Sequence, residues 1–475
     1  MDKFIGITLI VKLDQLYPIL PVFAQNMAIS TFGYYWQKRR FGGIYREEFR
    51  KFKNRESFTE QQWLDFQTIE LRKLLVHAFT TVPYYRDRYG RLGYTIEDFK
   101  QFELSELSSL PILTKNDLRQ FGTSSLLSDK REKGGSFFGS SGTTGTPVKI
   151  LYSHHFHQRV NAAMESRVRN WAGLTSDDPR GMIGGRRVLS DAENMPPYFR
   201  YNFFEKQTYF SAYHISRTNV WNYLKGMRDK RVNYMTGYAM SNFLLASMIK
   251  DRGLEAPQMK AVVTSSEKLT PNMRMLIGEV YDCKVFDSYS GVENCGLISE
   301  TPEGHLVVNP DVGILEILDE NGLQVENGQE GEIVSTGFLN WDQPLIRYCI
   351  GDRAVLKESW FSNNGRCMPS ISEIVGRVED TIVTEDGRKM VRFHSVFVNL
   401  SNVYEAQVIQ HDFRRFSVNI VASPQFGTED ENIIISRMRS QLGPIVEINI
   451  IQVSAIPRSK NGKFKAVISE LKDIH

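Results

Sequence analysis

The stretch GSSGTTGTP, residues 139–147, combines three glycines, five hydroxyl side chains and a proline, with no charge and no side chain large enough to pack. Glycine permits positive φ and close approach of the backbone, so successive N–H groups can point into one concavity. The hydroxyl groups add neutral donors for oxyanions. This composition favours a loop that wraps a phosphate chain, and a flexible surface linker is the alternative that the loop alone leaves open.

One pattern occurs twice in the sequence after this loop. A strand-like run at residues 260–264 is followed by SSE (265–267), and a second run at 286–289 is followed by SGVE (290–293). Strands that end in small polar residues and an acid are typical of the ligand-binding edge of an open α/β sheet. The loop lacks the Gly-Lys-Ser/Thr of a P-loop and the chain lacks the kinase catalytic motifs, which excludes those two classes.

The composition of the whole chain limits the class of protein. The 475 residues are too many for one compact core, and 41% hydrophobic with 24% charged residues is typical of a soluble globular protein. A net charge of +3 gives no reason to expect a nucleic acid partner. The four cysteines show no CxxC pair and no zinc spacing, which favours a reduced compartment and a cytoplasmic protein.

The N-terminus contains two apolar segments, residues 4–11 and 16–24, which are interrupted by Lys12 and Asp14. Neither segment is long enough to span a bilayer. We expect a buried helix here, and a peripheral contact at the inner face of the membrane is the open alternative.

Periodicity predicts the domain organisation. Residues 61–79 form an amphipathic helical pattern, and from 150 to 350 strand-like and helical runs alternate, which predicts an α/β fold. The predicted strands are 260–264, 284–286 and 331–335, and the predicted helices are 240–250 and 271–280. The predicted large N-terminal domain spans residues 1–376 and consists of several α/β subdomains, with a helical extension over 1–60.

A smaller α+β domain is predicted over residues 380–475, with the boundary near 377–380. It begins with a hairpin at 381–391 around Asp386-Gly387. A strand at 417–422 follows, then a helix that a capping box of Thr428 and Glu431 opens, and a strand at 447–453. This is a plausible size for a small independent domain.

Five segments in this order resemble those of the adenylate-forming superfamily, which includes acyl-CoA synthetases, peptide-synthetase adenylation domains and luciferases. They are SSGTTGTP (140–147), YSGVE (289–293), RYCIGD (347–352), GRVED (376–380) and PRSKNGK (457–463). The early VPYYR (82–86) and the absence of a Lys-Gly pair after Pro147 resemble the phenylacetate–CoA ligase branch. The CapK-like subgroup, associated with capsule and polysaccharide biosynthesis, is the most similar.

The resemblance implies that the protein is an AMP-forming ligase. A carboxylic acid would attack the α-phosphorus of ATP, which gives an acyl adenylate and pyrophosphate, and the acyl group would pass to CoA or to an amine or sugar. ATP/AMP and Mg²⁺ are the implied cofactors, with CoA as the further candidate. The resemblance also implies that the small domain is a mobile lid that rotates about Glu379 and Asp380.

The resemblance assigns roles to individual residues. Lys463 would contact both the carboxylate and the α-phosphate as the catalytic cation, and Glu293 would hold Mg²⁺ together with Thr143. Tyr289 would cover the adenine, Asp352 would accept from the ribose hydroxyls, and Arg377 would support the ribose or phosphate side. The full implied nucleotide set is Ser140, Ser141, Gly142, Thr143, Thr144, Gly145, Ser266, Glu267, Lys268, Ser288, Tyr289, Ser290, Asp352 and Arg377.

Each of these residues also has a purely structural interpretation. Taken alone, Glu293 fits a solvated acid, and Arg377 fits one partner of a surface ion pair. Tyr289 fits core packing, and a lysine near a C-terminus, such as Lys463, is usually exposed. The acid-binding pocket has four candidates that follow apolar segments: Tyr213, His214, Gly237 and Tyr238. Core packing is the alternative for the two tyrosines, and a structural histidine is the alternative for His214.

The match departs from the family pattern at one segment. The family usually has Tyr-Gly-x-Thr-Glu where this chain has Ser290 and Val292 at the Gly and Thr positions. The missing threonine hydroxyl favours an alternative of a different class, a catalytically silent nucleotide-binding scaffold of a polysaccharide assembly complex. The presence of Lys463 favours the ligase.

Overall fold

The computed structural model describes residues 17–139, 148–184, 189, 195–212, 214–363, 365–377, 382–383, 389–390, 396–397, 400, 402–457 and 464–471. Helices precede the first strand: a 3₁₀ turn at Tyr17–Ile19, α1 (Val22–Phe41), α2 (Tyr45–Arg55), α3 (Glu60–Thr81), α4 (Pro83–Arg91), α5 (Ile96–Gln101), a 3₁₀ turn at Leu104–Ser109 and α6 (Lys115–Phe121).

The helix predicted at 61–79 is confirmed as α3. Thr59 caps it, because its Oγ1 accepts the N–H of Gln62 while the Gln62 side chain accepts the N–H of Thr59. Its buried side recurs every three to four residues and includes Trp63, Leu71 and Leu74, as an amphipathic helix against a core requires.

The expectation of a buried helix at 16–24 is wrong for the residues that the structure describes. Ile19 is 76% exposed and Phe23 is 69% exposed. The described part of the extension is helical, but the buried side of α1 carries Gln25, Ser30 and Gly33. Several large apolar side chains of this helix therefore face solvent, among them Phe23, Met27 and Tyr35, while Ile29 is buried.

A short hairpin leads into the main sheet. It consists of β1 (Ser136–Gly139) and β2 (Lys149–Tyr152) and is followed by α7 (His154–Met164) and a π-turn at Glu165–Arg169. The sheet contains β3 (Arg180–Gly184), β4 (Phe199–Asn202), β5 (Gln207–Ser211), β6 (Tyr234–Tyr238), β7 (Ala261–Ser265), β8 (Lys284–Tyr289), β9 (Ile298–Glu300), β10 (Leu306–Val308), β11 (Gly313–Leu318), β12 (Glu330–Gly337), β13 (Tyr348–Asn363) and β14 (Arg366–Arg377).

These strands follow the order β11-β12-β13-β14-β10-β9-β8-β7-β6-β3-β5-β4. Strands β5, β3, β6, β7 and β8 are parallel, so their carboxyl ends meet at one edge of the sheet. The helices α8 (Val220–Asp229), α9 (Ala239–Asp251) and α10 (Pro271–Tyr281) connect them. The predicted strands and helices between 240 and 335 are confirmed, and the parallel half is apolar on both faces because helices cover it.

The C-terminal region forms a separate, smaller sheet with its own core. Its elements are β15 (Ile382–Val383), β16 (Lys389–Met390), β17 (Val403–Gln410), β18 (Arg415–Ala422), α11 (Thr428–Leu442), β19 (Glu447–Gln452) and β20 (Val467–Ser469). The sheet order is β19-β18-β17-β20. The predicted fold class, a large α/β body with a small α+β C-terminal domain, is confirmed.

One predicted detail of this domain is wrong. The helix α11 already includes Thr428, so Gly427 is its N-cap. Asp430 accepts the N–H of Gly427 at 3.2 Å and the side-chain amide of Asn402 at 3.0 Å. The helix thus begins one residue earlier than the Thr428–Glu431 capping box predicts, because Asp430 also binds the neighbouring segment.

A buried ion network joins the N-terminal helices to the main sheet. The Arg167 side chain is fully buried and donates to Glu56 and Asp311, each at 3.0 Å. Arg55 donates to the same Asp311 oxygen at 2.9 Å. Two cations therefore share one buried carboxylate between α2, the π-turn and the loop before β11.

The described ranges contain no helix with the length and apolar character that crossing a membrane would require. All four cysteines lie within these ranges, and each is a free thiol.

Candidate active site

The hairpin fixes where the glycine-rich loop enters and leaves. Strands β1 and β2 pair antiparallel, with Gly139 opposite Lys149. Residues 140–147 connect these two positions and lie outside the described residues, and with them the six predicted loop residues Ser140 to Gly145. The loop therefore begins and ends at adjacent positions of one hairpin.

A hydrogen-bonded chain ties this hairpin to the segment that contains Glu293. The Tyr152 hydroxyl, at the end of β2, donates to the carbonyl of Val292 at 2.7 Å and accepts from the Asn294 amide at 2.6 Å. Asn294 in turn accepts from Ser290 at 3.0 Å. Sequence reasoning missed Tyr152 and Asn294, because neither residue type is distinctive until the fold brings the two segments together.

The hairpin is also braced from the outside by α1. The Trp36 ring contacts the rings of Phe138 and His157 at 5.8 and 5.1 Å. Arg39 donates to the carbonyl of Tyr152 at 2.7 Å and to Nδ1 of His157 at 3.2 Å. Burial, and then the charges of Arg40 and Arg39, lower the pKa of His157 to about 3, so this ring stays a neutral acceptor.

Two residues predicted for the base and the ribose lie in direct contact. The Tyr289 hydroxyl donates to Oδ2 of Asp352 at 2.7 Å. Burial, and then the Asp352 charge, raise the pKa of Tyr289 well above its usual range, so the hydroxyl remains a donor. Gly351 has φ +76°, and a Cβ there would lie 2.9 Å from Nζ of Lys115. The backbone of Arg377 is paired opposite Asp352.

Glu293 is buried, which contradicts its interpretation as a solvated acid. The hydroxyl of the fully buried Tyr348 donates to Oε1 of Glu293 at 3.4 Å. A Cβ at Gly291 would collide with the other carboxylate oxygen, so glycine at this position leaves room for the acid. Thr143, its predicted metal partner, lies outside the described residues.

No three His, Cys, Asp or Glu side chains of the described ranges lie together as a protein-built metal centre would need. A Mg²⁺ ion on a nucleotide takes most of its oxygens from phosphates and water. A single buried carboxylate such as Glu293 fits that requirement as the protein's oxygen ligand.

The segment after β7 connects the body to the small domain. Glu267 accepts the N–H of Met240, at the start of α9, and the N–H of Phe464, each at 2.9 Å. Phe464 directly follows Lys463, which lies outside the described residues. Lys268 forms an ion pair with Glu373 on β14. The side chains of Glu267 and Lys268 are therefore engaged in protein contacts.

Two further predicted residues, Ser266 and Ser288, lie at this edge. Ser266 has a positive φ of 67°. The buried Ser288 donates through Oγ to the carbonyl of Thr264 at 3.1 Å. These contacts fix the shape of the edge between β7 and β8.

The described candidates for the acid pocket lie at the same edge, after neighbouring strands. His214 Nδ1 lies 2.7 Å from the Ser211 hydroxyl, and its ring stacks on Tyr198. Gly237 has φ +125°, and a Cβ would overlap the carbonyl of Ile183. Tyr238 is buried, and Tyr213 lies outside the described residues. Only glycine is compatible with position 237.

Asp287 on β8 lies beside this site in a pair of carboxylates. Burial, and then the Glu300 charge, raise the pKa of Asp287 to about 7. Glu300 is fixed by two hydrogen bonds of 2.9 Å from Arg274 and accepts the N–H of Asp287 at 2.7 Å.

The raised pKa predicts a pH-dependent stability. The folded state holds the Asp287 proton more tightly than the unfolded state, so this stabilisation is complete below about pH 4 and is lost as the pH rises through 7. We expect Asp287→Asn to raise the Tm by about 2–4 °C at pH 8 and to change it little near pH 4. Thermal unfolding at pH 4.5, 6 and 8 measures this, with the exposed Glu320→Gln as control; a pH-independent difference would contradict it.

A large α/β body with a small α+β C-terminal domain is also the fold of solved acyl-CoA ligase structures. Residues 382–470 match the CapK C-terminal domain.

Individual relatives are similar to this chain over most of its length. The chain is 24% identical over 473 residues to Protein CapK of Staphylococcus aureus, across 97% of this chain and 100% of the relative. It is 22% identical over 429 residues to the phenylacetate–coenzyme A ligase of Escherichia coli K12, across 83% and 92%. The structure of 2-hydroxyisobutyryl-CoA ligase in its postadenylation state with 2-HIB-AMP aligns with a TM-score of 0.69 at 17% identity, over 88% of this chain and 91% of that one.

Proposed function

We propose that the protein is an ATP-dependent, AMP-forming carboxylic acid ligase that makes an acyl adenylate at the carboxyl edge of its sheet. The observation that carries this proposal is the 2.7 Å hydrogen bond between Tyr289 and Asp352. It joins a flat aromatic ring and a carboxylate, the groups suited to a base and to a ribose diol. The names of the relatives, which include phenylacetate–CoA ligases, support the same class.

The chemistry requires neutralisation of charge while two anions approach each other. The carboxylate of the acid attacks the α-phosphorus of ATP, a mixed anhydride forms, and pyrophosphate leaves. Lys463 contacts both anions, because an ammonium on a long stem acts as a compact point charge. Ser140, Thr143 and Thr144 hold the β- and γ-phosphates, and Arg377 supports the ribose or phosphate side.

Mg²⁺, when bound, supplies further neutralisation on the phosphates, with Glu293 and Thr143 as the protein oxygens. Tyr348 keeps the Glu293 carboxylate in place through its hydroxyl. His214, Tyr213, Gly237 and Tyr238 form the acid pocket, and glycine is required at 237 because a Cβ there would overlap the Ile183 carbonyl.

The small domain, residues 380–475, acts as the lid, with its hinge at Glu379 and Asp380. Phe464 is bonded to Glu267 in this structure, which fits an arrangement in which the preceding Lys463 serves adenylation. The TM-score is 0.69 with the postadenylation state of 2-hydroxyisobutyryl-CoA ligase and 0.54 with its thioesterification state. This difference supports the adenylation arrangement.

In the second half-reaction, the acyl group passes to CoA or to an amine or sugar of a polysaccharide. The phenylacetate–CoA ligase relatives favour CoA as the acceptor. The resemblance to the CapK-like subgroup favours an amine or sugar. Separate reactions with CoA, with amines and with amino sugars distinguish these acceptors by the product that forms.

The proposal is tested by ATP-dependent pyrophosphate release with a panel of aryl, acyl, amino and uronic acids. We expect turnover with one class of acid, and a loss of at least about tenfold in Asp352→Ala because the ribose contact disappears. The exposed Glu320→Ala is the control and should retain full activity. Binding of ATP without release of pyrophosphate for any acid would contradict the ligase.

One observation favours a second candidate, a catalytically silent nucleotide-binding scaffold. Val292 contributes a carbonyl to Tyr152 and an apolar side chain to the core, so it supplies no hydroxyl where the family has threonine. In that case ATP binding would persist, pyrophosphate release would be absent, and Lys463→Ala would change neither.

The contact of Glu267 with both domains gives a prediction that separates the half-reactions. Glu267→Ala removes the acceptor for the Phe464 N–H, so we expect acid adenylation to fall about tenfold, the effect of about 1.4 kcal/mol from one lost charge-assisted hydrogen bond. Transfer of the acyl group from a supplied acyl adenylate to the acceptor should be unchanged. Stopped-flow pyrophosphate release and product analysis measure the two steps.

The Glu267→Gln variant retains one carbonyl oxygen as acceptor, so its adenylation rate should lie between those of the wild type and of Glu267→Ala. An equal loss in both half-reactions would show a general structural defect and would contradict the positioning role.

A further inference from the structure

The helix α1 has an unusual distribution of side chains. Its exposed side carries Phe23, Met27 and Tyr35, which are 69%, 62% and 67% exposed. Its buried side carries Gln25, Ile29, Ser30 and Gly33. In a helix that only packs on a core, the apolar side would be the buried one.

The edge strand β4 explains the polar buried side. Asn26 accepts the N–H of Tyr201 at 2.8 Å, and Ser30 accepts the N–H of Phe203 at 3.1 Å. A Cβ at Gly33 would overlap the Asn202 side chain. The helix therefore covers the open edge of the sheet with small and hydrogen-bonding residues, and this leaves its large apolar residues on the outside.

The turn after β4 extends the same apolar surface. Phe203 and Phe204 are exposed, and the Tyr34 ring contacts that of Phe204 at 5.0 Å. Gln37 donates to the Phe204 carbonyl at 3.4 Å. We call this surface the aromatic face, and it consists of Phe23, Met27, Tyr34, Tyr35, Phe203 and Phe204.

The charged side chains of α1 are all cations, namely Lys38, Arg39 and Arg40. No Asp or Glu occurs between Gln15 and Arg46. Lys38 lies 4.4 Å from the ring centroid of Tyr34. Lys230 lies 4.9 Å from that of Tyr201, whose ring contacts Phe203. Glu205, the acid next to the turn, is buried and paired with Arg40.

The chain that leads into this surface is apolar as well. Sixteen residues precede Tyr17, and among them the sequence FIGITLIV occupies residues 4–11, between Lys3 and Lys12. This sequence is apolar but has no excess of cations, since Asp2 and Asp14 balance Lys3 and Lys12.

We propose that the aromatic face docks the protein onto the surface of an anionic lipid bilayer. Phe23, Met27 and the two phenylalanines of the turn would enter the boundary between head groups and acyl chains, with the tyrosines at head-group level. Lys38 and Lys230 would meet the anionic head groups. This surface lies outside the catalytic edge and does not depend on the proposed ligase activity.

A second copy of the chain fits this face less well. A twofold contact would bring the same patch against itself, so Lys38 and Lys230 would face like charges with no acid of the patch to pair with them. An anionic membrane supplies both an apolar interior for the aromatic residues and negative head groups for Lys38 and Lys230.

The test is co-sedimentation of the full chain with vesicles. We expect binding to vesicles of phosphatidylcholine with about 30% phosphatidylglycerol, whose surface is negatively charged, and at least about fivefold weaker binding to phosphatidylcholine alone. The triple variant Phe23→Gln, Tyr35→Gln, Phe204→Gln should lose at least about tenfold in binding. Lys38→Glu should weaken binding to the anionic vesicles only.

The control variant replaces exposed apolar residues elsewhere, Met275→Gln with Leu323→Gln, and should bind as the wild type does. Circular dichroism and the Tm establish that each variant is folded. Absence of binding by the wild type to either vesicle would overturn the proposal. So would light scattering that shows a dimer which the triple variant converts to a monomer, because the face would then be a contact between copies.

Discussion

Replacement of Lys463 by alanine is expected to lower ATP-dependent pyrophosphate release by at least about a hundredfold, about 2.7 kcal/mol of transition-state stabilisation. The variant removes the only cation that the proposed mechanism brings to both the carboxylate and the α-phosphate. The neighbouring Phe464 is bonded to Glu267 at 2.9 Å, at the edge where Tyr289 and Asp352 meet. Transfer from a supplied acyl adenylate to the acceptor should be nearly unchanged.

The matched control is Lys465→Ala, two residues further along the same segment, where the main-chain carbonyl accepts from Gln407 at 2.9 Å. It should keep full adenylation activity because alanine retains that carbonyl. Lys463→Arg should recover little, since a planar guanidinium does not replace a point charge that contacts two anions. Equal losses in the Lys463 and Lys465 variants would contradict the assigned role.

Replacement of Arg167 by alanine is expected to destabilise the protein by about 3–5 kcal/mol, because it removes one partner of a buried ion network. Asp311 is fully buried and would keep Arg55 as its cation, while Glu56 would lose the buried cation Arg167. Chemical denaturation followed by tryptophan fluorescence, which Trp171 beside Arg167 should report, measures the shift in the first transition.

The control for this variant is Arg86→Ala, which removes an exposed pair with Asp129 at 3.3 Å. An exposed pair contributes at most about 1 kcal/mol. A shift no larger than that of the Arg86 variant would show that the network contributes no more than a surface ion pair.

Much of the fold could be predicted from the sequence because local and tertiary preferences agree. The helix α3 has both its cap at Thr59 and its buried stripe in the sequence. The parallel strands β7 and β8 appear as apolar runs because helices cover both faces of the sheet. The start of α11 was missed by one residue, since Asp430 rather than Glu431 binds the N-cap backbone.

The orientation of α1 could not be predicted from composition. A count of apolar residues indicates burial, but the partner of this helix is a strand edge that requires Asn26 and Ser30 as acceptors. Which side of a helix is buried depends on what it covers, and the sequence does not state that.

Short motifs single out Tyr289 and Asp352, and the structure brings these two side chains into contact, while their roles stay predictions. Tyr152, Asn294 and Tyr348 were not predictable, because each becomes informative only through a contact across the fold. Their roles depend on the hairpin and the sheet meeting in space.

The brace between α1 and the hairpin has a thermodynamic consequence. Trp36 and Arg39 attach the inner side of this helix to the strands on either side of the glycine-rich loop, and the outer side of the same helix is the aromatic face. The loop and the aromatic face are both attached to α1, so binding at one of them is coupled to binding at the other through this helix. The coupling free energy between two sites is reciprocal. For the two proposed sites, the factor by which a membrane changes the affinity for nucleotide must equal the factor by which bound nucleotide changes the affinity for the membrane.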